Sequence, residues 1–288
     1  MSTDHDGFTK AQKRRLRGHF GFTRAPFSRY MWASNMYDSG SQRDLLAGLH
    51  MWLELQGIAL VTGPSGVGKS ITLRRFVKEL DEARYRVLLL STLPSTPHGF
   101  LRSMSRELGL PMRQHTADLF DQVRGRLVEM GQAEGPHPVL VLDDAEGIRV
   151  TVMDVLRRLT AANLDEQDHF SLVLAGTDTL LHTLQVPQLA PLRTRINFTW
   201  PLRPYGLEDT RQYVAYQLQR ASVDGKLFSD QAVKRIFQAS RGYPRSINQL
   251  ALQALIQAAI SGLDHVDGDF MLRVCKAHPL YQGLQGAA

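Results

Sequence analysis

The sequence has little cysteine and no long apolar run. Cys275 is the only cysteine among 288 residues, so an internal disulfide and a zinc site built on paired cysteines are both excluded. The longest uncharged stretch, 246–263, is interrupted by Asn248, Gln249, Gln253 and Gln257. A membrane span needs about 20 mostly apolar residues. We therefore expect a cytoplasmic protein that has no membrane partner.

Basic residues outnumber acidic residues. The 34 lysines and arginines against 28 acidic residues give a formal net charge of +6. Net basicity favours polyanionic partners, chiefly nucleic acid, although an arginine bias can also reflect genome composition. Residues 10–17 contain five basic residues and no acidic one. This pattern is typical of an arm that contacts nucleic acid, or of a solvated helix end.

Strand and helix patterns alternate between residues 58 and 200. Short apolar runs predict buried strands over 58–62, 86–91, 139–142, 171–175 and 196–200. Their alternation with helical patterns predicts an α/β fold of three layers, with a parallel sheet between helices. After Pro204, helical patterns over 208–221, 229–240 and 245–261 predict a small all-helical domain at about 206–278.

Residues 63–70 match the G-x-x-x-x-G-K-S pattern of a P-loop, between an apolar strand and a helical pattern. Glycines there let backbone N–H groups point at phosphates, and the helix N-terminus adds partial positive charge. Lys69 would reach the β- and γ-phosphates, and the Ser70 hydroxyl would ligate magnesium. The predicted cofactors are ATP and Mg²⁺. The predicted nucleotide-binding residues are Gly63, Pro64, Ser65, Gly66, Val67, Gly68, Lys69, Ser70 and Ile71.

The apolar run 139–142 ends in Asp143-Asp144-Ala145-Glu146. P-loop enzymes hold magnesium with an acid at such a strand tip, so Asp143 is the second predicted metal ligand. The following residue usually orients the attacking water and is usually Glu, but here it is the shorter Asp144. Glu146 is the other candidate for this role. Because Asp144 is shorter than the usual Glu, the protein as a whole could instead be a nucleotide-binding scaffold that hardly hydrolyses ATP.

Four more residues are candidates for contact with the γ-phosphate. Thr177 follows the run 171–175, where it would sense this phosphate or cap the strand end. Arg193 and Arg195 precede the last apolar run, a position typical of arginine fingers that reach a neighbouring subunit's nucleotide. Arg245 lies in the first turn of a predicted helix, where the dipole disfavours a cation. A nucleotide phosphate or a salt bridge would hold it there.

Together these segments resemble the AAA+ ATPases of the ExeA/GspA-like group, over about residues 18–262. The segments that carry the resemblance are 19–27, the P-loop, 142–146, 174–177, 192–196, 202–204 and 242–248. The family pattern has Asp-Glu-Ala-Gln where this chain has Asp-Asp-Ala-Glu at 143–146. The resemblance implies the AAA+ fold with a helical lid, Arg245 as the lid sensor, and Arg193 or Arg195 acting across a subunit interface. It also implies that Phe20, Phe22 and Phe27 help to close over the adenine.

The implied domains are a basic arm with an adenine-side segment at 1–40, an ATPase core at 41–204, and a helical lid with a tail at 205–288. Within the ExeA/GspA-like group, one branch resembles secretion ATPases that carry a membrane span and a peptidoglycan-binding module. The other branch resembles transposition regulators of the TnsC, TniB and MuB type. The length, the charge and the basic arm fit the second branch.

We therefore expect a bacterial regulator of DNA transposition and recombination that assembles with ATP on double-stranded DNA. Its partners would be further copies of itself in a ring or helical filament, a transposase and a target-selection protein. ATP hydrolysis would drive disassembly. Candidate DNA contacts are the arm at 10–17 and Arg102, Arg106 and Arg113. The alternative is a secretion or envelope-assembly ATPase whose membrane anchor is on another chain.

Overall fold

The computed structural model describes residues 18–28, 36–132, 135–161, 168–222, 227–279 and 281; the basic arm at 10–17 lies outside these residues. The described chain forms two compact units. The α/β unit contains residues 40–65 and 69–202, and the helical unit contains 18–28, 36–39, 66–68 and the described residues from 203 onward. Across the residues just given, no helix is both long enough and apolar enough to cross a membrane.

The α/β unit is built on a sheet of five parallel strands, in the spatial order β2-β3-β4-β1-β5. The strands are β1 (Ile58–Thr62), β2 (Tyr85–Leu90), β3 (His137–Leu142), β4 (Ser171–Gly176) and β5 (Ile196–Pro201). Every residue of β1 and β4 is buried, as expected where helices cover both faces of a parallel sheet. The predicted parallel sheet is confirmed.

Helices surround this sheet. They are α1 (Gly40–Leu55), α2 (Lys69–Glu79), α3 (Pro97–Glu107), α4 (Thr116–Gln132), α5 (Val150–Leu159), α6 (Asp178–Leu184) and α7 (Ala190–Arg193). A 3₁₀ turn, Ala145–Gly147, connects β3 to α5. Leucines from the helices and strands share one buried cluster that includes Leu101, Leu142, Leu156 and Leu172.

The register of the strands brings three chain segments to one edge of the sheet. Thr62 pairs with Gly176, and Leu142 pairs with Leu174. The ends of β1, β3 and β4 therefore differ by no more than about two residues along the strand direction. These ends are followed by the P-loop, Asp143 and Thr177, respectively. Ligands of open α/β sheets bind outside this carboxyl edge.

The helical unit contains α8 (Leu207–Arg220), α9 (Asp230–Ser240), α10 (Pro244–Ser261) and α11 (Gly268–Ala277). Ser229 caps α9, because its hydroxyl accepts a hydrogen bond from the Ala232 N–H at 3.1 Å. The apolar stripe of α10 is buried, including Ile247, Leu250 and Leu255. Phe22 and Phe27 belong to the same core.

Candidate nucleotide site

The P-loop has a backbone that glycine adopts far more readily than other residues. Gly63, Gly66 and Gly68 have φ angles of 150°, 82° and 115°. Without side chains at these positions, a phosphate can approach the backbone N–H groups closely. Lys69 begins α2, so the loop leads into the N-terminus of an 11-residue helix. These features fit the phosphates of a nucleotide.

Lys69 lies within the curve of this loop. Its side chain donates to the Gly63 carbonyl at 2.7 Å and to the Pro64 carbonyl at 3.2 Å. The residue is only 5% exposed. A cation held in this position supplies positive charge where the loop would receive phosphate oxygens.

Asp143, which follows β3, and Ser70, in the first turn of α2, form a pair of possible oxygen ligands for a metal ion. Burial raises the pKa of the Asp143 carboxyl above its usual range, while its hydrogen bond with Ser70 lowers the pKa in part. Asp143 is 6% exposed and also accepts the Asp144 N–H at 3.0 Å. An anionic and a neutral oxygen ligand suit Mg²⁺, and a cation would relieve the cost of burying this carboxylate.

These residues would hold ATP with Mg²⁺, with Ser70 and Asp143 on the metal and the P-loop with Lys69 on the phosphates; these roles stay predictions. The bound nucleotide would supply the phosphoanhydride bond that is cleaved, and the metal would neutralise charge on its phosphates. Ile71 lies in the first turn of α2 and is half-buried.

The two candidate water-orienting residues have different surroundings. Asp144 is exposed and has a left-handed backbone, with φ 53° and ψ 40°. Aspartate tolerates this region better than most residues. Glu146 is half-buried in the 3₁₀ turn, and its Oε2 accepts the Thr177 N–H at 3.3 Å. Asp144 is therefore open to solvent, whereas Glu146 contacts the end of β4.

Thr177 occupies the N-cap position of α6 but makes no capping hydrogen bond with its side chain. Its predicted role as a sensor of the γ-phosphate stays a prediction. The alternative role as a cap of the strand end stays a prediction as well.

The two candidate arginine fingers both contact helix ends of their own unit. Arg193 donates to the Leu184 carbonyl at 3.2 Å. Arg195 has longer contacts, at 3.4 Å to the Thr160 hydroxyl and 3.5 Å to the Arg157 carbonyl. Both residues are exposed, as a group that reaches another subunit must be. Their action across an interface stays a prediction.

Arg245 lies in the first turn of α10, as predicted. Its backbone N–H donates to the Gly66 carbonyl at 3.3 Å. The preceding turn is fixed by Gly242, where a Cβ atom would overlap the Tyr205 carbonyl oxygen. The Tyr205 N–H donates back to the Gly242 carbonyl at 2.9 Å. The backbone that precedes Arg245 is thus held in place by this turn. The role of Arg245 as lid sensor stays a prediction.

The three phenylalanines of the predicted adenine-side segment lie in the helical unit. Phe22 and Phe27 are 3% and 1% exposed, and Phe27 packs edge-on against Phe228 with ring centroids 6.1 Å apart. Phe20 is partly buried and its ring lies 5.3 Å from that of Phe22. These rings build the core of the helical unit. Their contact with adenine stays a prediction.

Gly176 was not predicted to belong to the site. A Cβ atom there would lie 2.8 Å from a methyl carbon of Leu180 and 2.9 Å from Oε2 of Glu146. A glycine at a strand end often marks such a close approach. That signal was present in Leu174-Ala-Gly-Thr177, but it does not reveal which side chain approaches.

Comparisons with known proteins agree with this geometry. Residues 53–184 match the family described as an AAA domain. The chain is 31% identical over 258 residues to the general secretion pathway protein A of Aeromonas hydrophila, covering 88% of this chain and 47% of that protein. The chain thus spans about half the length of this curated relative.

Two solved structures show the likeness of the fold. Cdc6p of Pyrobaculum aerophilum superposes with a TM-score of 0.69 at 17% identity, over 91% of this chain and 71% of that chain. The RuvB Holliday junction branch migration motor of Thermotoga maritima superposes with a TM-score of 0.54 at 19% identity, over 83% and 69%.

Proposed function

We propose that this chain is an ATP-dependent DNA-binding regulator of transposition, built on a P-loop ATPase domain of the AAA type matched at residues 53–184 and using ATP with Mg²⁺. Copies assemble on double-stranded DNA in the ATP state and recruit or activate a partner transposase. Hydrolysis returns them to the free state. Arg193 or Arg195 of one copy completes the nucleotide site of the next, and Arg245 acts as a sensor of the nucleotide.

The observation that carries the DNA-binding part of this proposal is a surface formed by Arg102 and Arg106 of α3 and by Arg113 in the loop that follows, here called the α3 arginine surface. Arg102 and Arg106 are one helical turn apart, and all three residues are exposed. Within the described part of the chain, none of them forms an ion pair, and Arg113 instead donates to the neutral Gln122 at 3.2 Å.

Five other arginines near the surface are neutralised by carboxylates. Such ion pairs are made by Arg75, Arg84, Arg126, Arg157 and Arg211. The α3 arginine surface therefore keeps positive charge that a DNA phosphate backbone can use. Contacts of this kind are independent of sequence and weaken as salt rises.

The test replaces Arg102, Arg106 and Arg113 together by alanine and measures duplex DNA binding with a non-hydrolysable ATP analogue over a range of salt. Each lost phosphate contact should reduce the slope of log affinity against log salt by about 0.9. The matched control replaces the ion-paired Arg84, Arg126 and Arg211, which removes the same charge. Equal effects of the two triple variants would mean that net charge alone is responsible, and the α3 arginine surface would be rejected.

A second candidate function is an ATPase for secretion or envelope assembly. The observation in its favour is the 31% identity to the general secretion pathway protein A. This function predicts nucleotide-dependent assembly that double-stranded DNA leaves unchanged.

A further inference from the structure

Glu146 is held in a turn whose position is fixed on both sides. Ala145 is fully buried, and Ile148 is 4% exposed. The Gly147 N–H donates to the Asp144 carbonyl and the Ile148 N–H donates to the Ala145 carbonyl, both at 3.1 Å. The backbone of Glu146 therefore has little freedom, and its side chain starts from a defined point beside β4.

The carboxylate of Glu146 lies against the last residue of β4 and the first residue after it. Oε2 accepts the Thr177 N–H at 3.3 Å, and it lies where Gly176 leaves room for it, since a Cβ atom there would be 2.9 Å away. Leu180 also lies close to Gly176, because the same Cβ atom would be 2.8 Å from a methyl carbon of Leu180. The contact thus joins the segment that follows β3 to the segment that follows β4.

Thr177 links β4 to α6, and its two backbone polar groups have different partners. Its side chain does not cap α6, and the strand pairing to β1 ends at Gly176. The Thr177 carbonyl accepts the Leu180 N–H of α6 at 2.9 Å, whereas its N–H donates to Glu146 in the turn that follows β3. A shift of Thr177 would move its hydroxyl away from the place that a γ-phosphate sensor must occupy.

We propose that Glu146 is a positioning residue for ATP hydrolysis: it holds Thr177 at the end of β4, while Asp144 orients the attacking water. Asp144 suits the latter role because it is exposed and directly follows the metal ligand Asp143. The Glu146 carboxylate is engaged by a backbone N–H instead. The two acids after β3 therefore have separate functions, and this assignment does not depend on DNA or a transposase.

The test compares Glu146→Ala, Glu146→Asp and Glu146→Gln. Gln keeps an oxygen that can accept the Thr177 N–H, whereas Asp keeps the charge but is one methylene too short to reach it. We expect kcat to fall about 10- to 100-fold in the Ala and Asp variants, as for a small misplacement of a catalytic group. The kcat of the Gln variant should stay close to that of the parent. The control is Glu107→Ala, which removes an exposed glutamate of α3.

A double-mutant cycle with Thr177→Ala tests whether Glu146 acts through Thr177. Once the Thr177 side chain is gone, loss of Glu146 should reduce kcat by no more than about twofold further. A nucleotide-free measurement is independent of activity: amide hydrogen exchange at Thr177 should be faster in the Ala and Asp variants than in the parent or Gln variant.

Three results would overturn the proposal. A Gln variant as inactive as the Ala variant would show that the negative charge of Glu146 is needed. Multiplicative losses with Thr177→Ala would show that Glu146 acts on the water directly. Unchanged exchange at Thr177 would show that the hydrogen bond does not hold this residue.

Discussion

Lys69 is a residue whose charge is nearly removed from solvent, and its partners are the carbonyl groups of its own loop. Replacing it by alanine should weaken ATP binding about 10- to 100-fold, since hydrogen bonds to a charged group contribute about 1.5–3 kcal/mol each. Hydrolysis should fall to background. Isothermal titration with ATP and Mg²⁺, together with a phosphate-release assay, measures both effects.

Lys78 provides the control for this prediction, because it is an exposed lysine in the last turn of the same helix. Lys78→Ala should change ATP affinity by less than about twofold, as expected of a surface substitution. If Lys69→Ala bound ATP as well as Lys78→Ala does, the P-loop would not be the nucleotide site.

Asp144 has a left-handed backbone, so a substitution there is informative only if the new residue also tolerates this conformation. Asn tolerates the left-handed conformation as Asp does, so Asp144→Asn removes the carboxylate without adding backbone strain. We expect kcat to fall by about 100-fold, in the range that general acid–base groups contribute. ATP affinity should remain the same, because the metal ligands and the P-loop are unchanged.

Single-turnover hydrolysis and nucleotide titration measure these two quantities. A variant Asp144→Asn that hydrolyses ATP at the parental rate would exclude Asp144 as the water-orienting residue. The role of Glu146 is tested separately, by the variants of Glu146 itself.

The residues of the site differ in how far the sequence could predict them. Lys69 and Ser70 lie within one contiguous motif, so their relation to phosphate and metal follows from spacing alone. Asp143 follows from its place after a buried strand. The contact between Glu146 and Thr177 joins residues 31 positions apart. It depends on strand register and on the room left by Gly176, which no local pattern contains.

Among the elements, the positions of the five strands were predicted well because each is a short apolar run between polar segments. The edge strands β2 and β5 are less buried than expected, since each pairs with a neighbour on one side only within the described sheet. The helices α4 and α5 were not predicted. Gly125 and Gly131 interrupt the first pattern, and three valines of the second lower its helix propensity. In the structure, the apolar faces of both helices pack in the buried cluster of the sheet. Tertiary packing therefore overrides the weak local preference.

Asn197 of β5 fixes the turn between α1 and β1. It accepts hydrogen bonds from the Trp52 indole at 2.8 Å and the Ile58 N–H at 3.1 Å, and it donates to the Gln56 carbonyl at 2.7 Å. Trp52 is 2% exposed, so its indole N–H would have little access to water after Asn197→Ala. We expect the free energy of unfolding to fall by about 1–3 kcal/mol.

Denaturant unfolding measures this change, with Thr199→Ala as the control because Thr199 is an exposed residue of the same strand. The control should lie within about 0.5 kcal/mol of the parent. An Asn197→Ala variant as stable as the control would mean that these hydrogen bonds are replaced by water at no net cost.

At the scale of the whole molecule, the fold class could be predicted from the order of elements, whereas the partners could not. Strand and helix patterns are local, but an arginine finger or a DNA contact is defined by a second molecule. The exposed Arg193 and Arg195 and the α3 arginine surface have the chemistry for such contacts.

Electron microscopy of the protein with double-stranded DNA, with and without a non-hydrolysable ATP analogue, tests the proposed function most directly. We predict rings or helical filaments on DNA that form only when the nucleotide is present, and that are lost in the triple alanine variant of the α3 arginine surface. Nucleotide-dependent rings that form equally well without DNA would contradict the transposition function and favour the secretion-type ATPase.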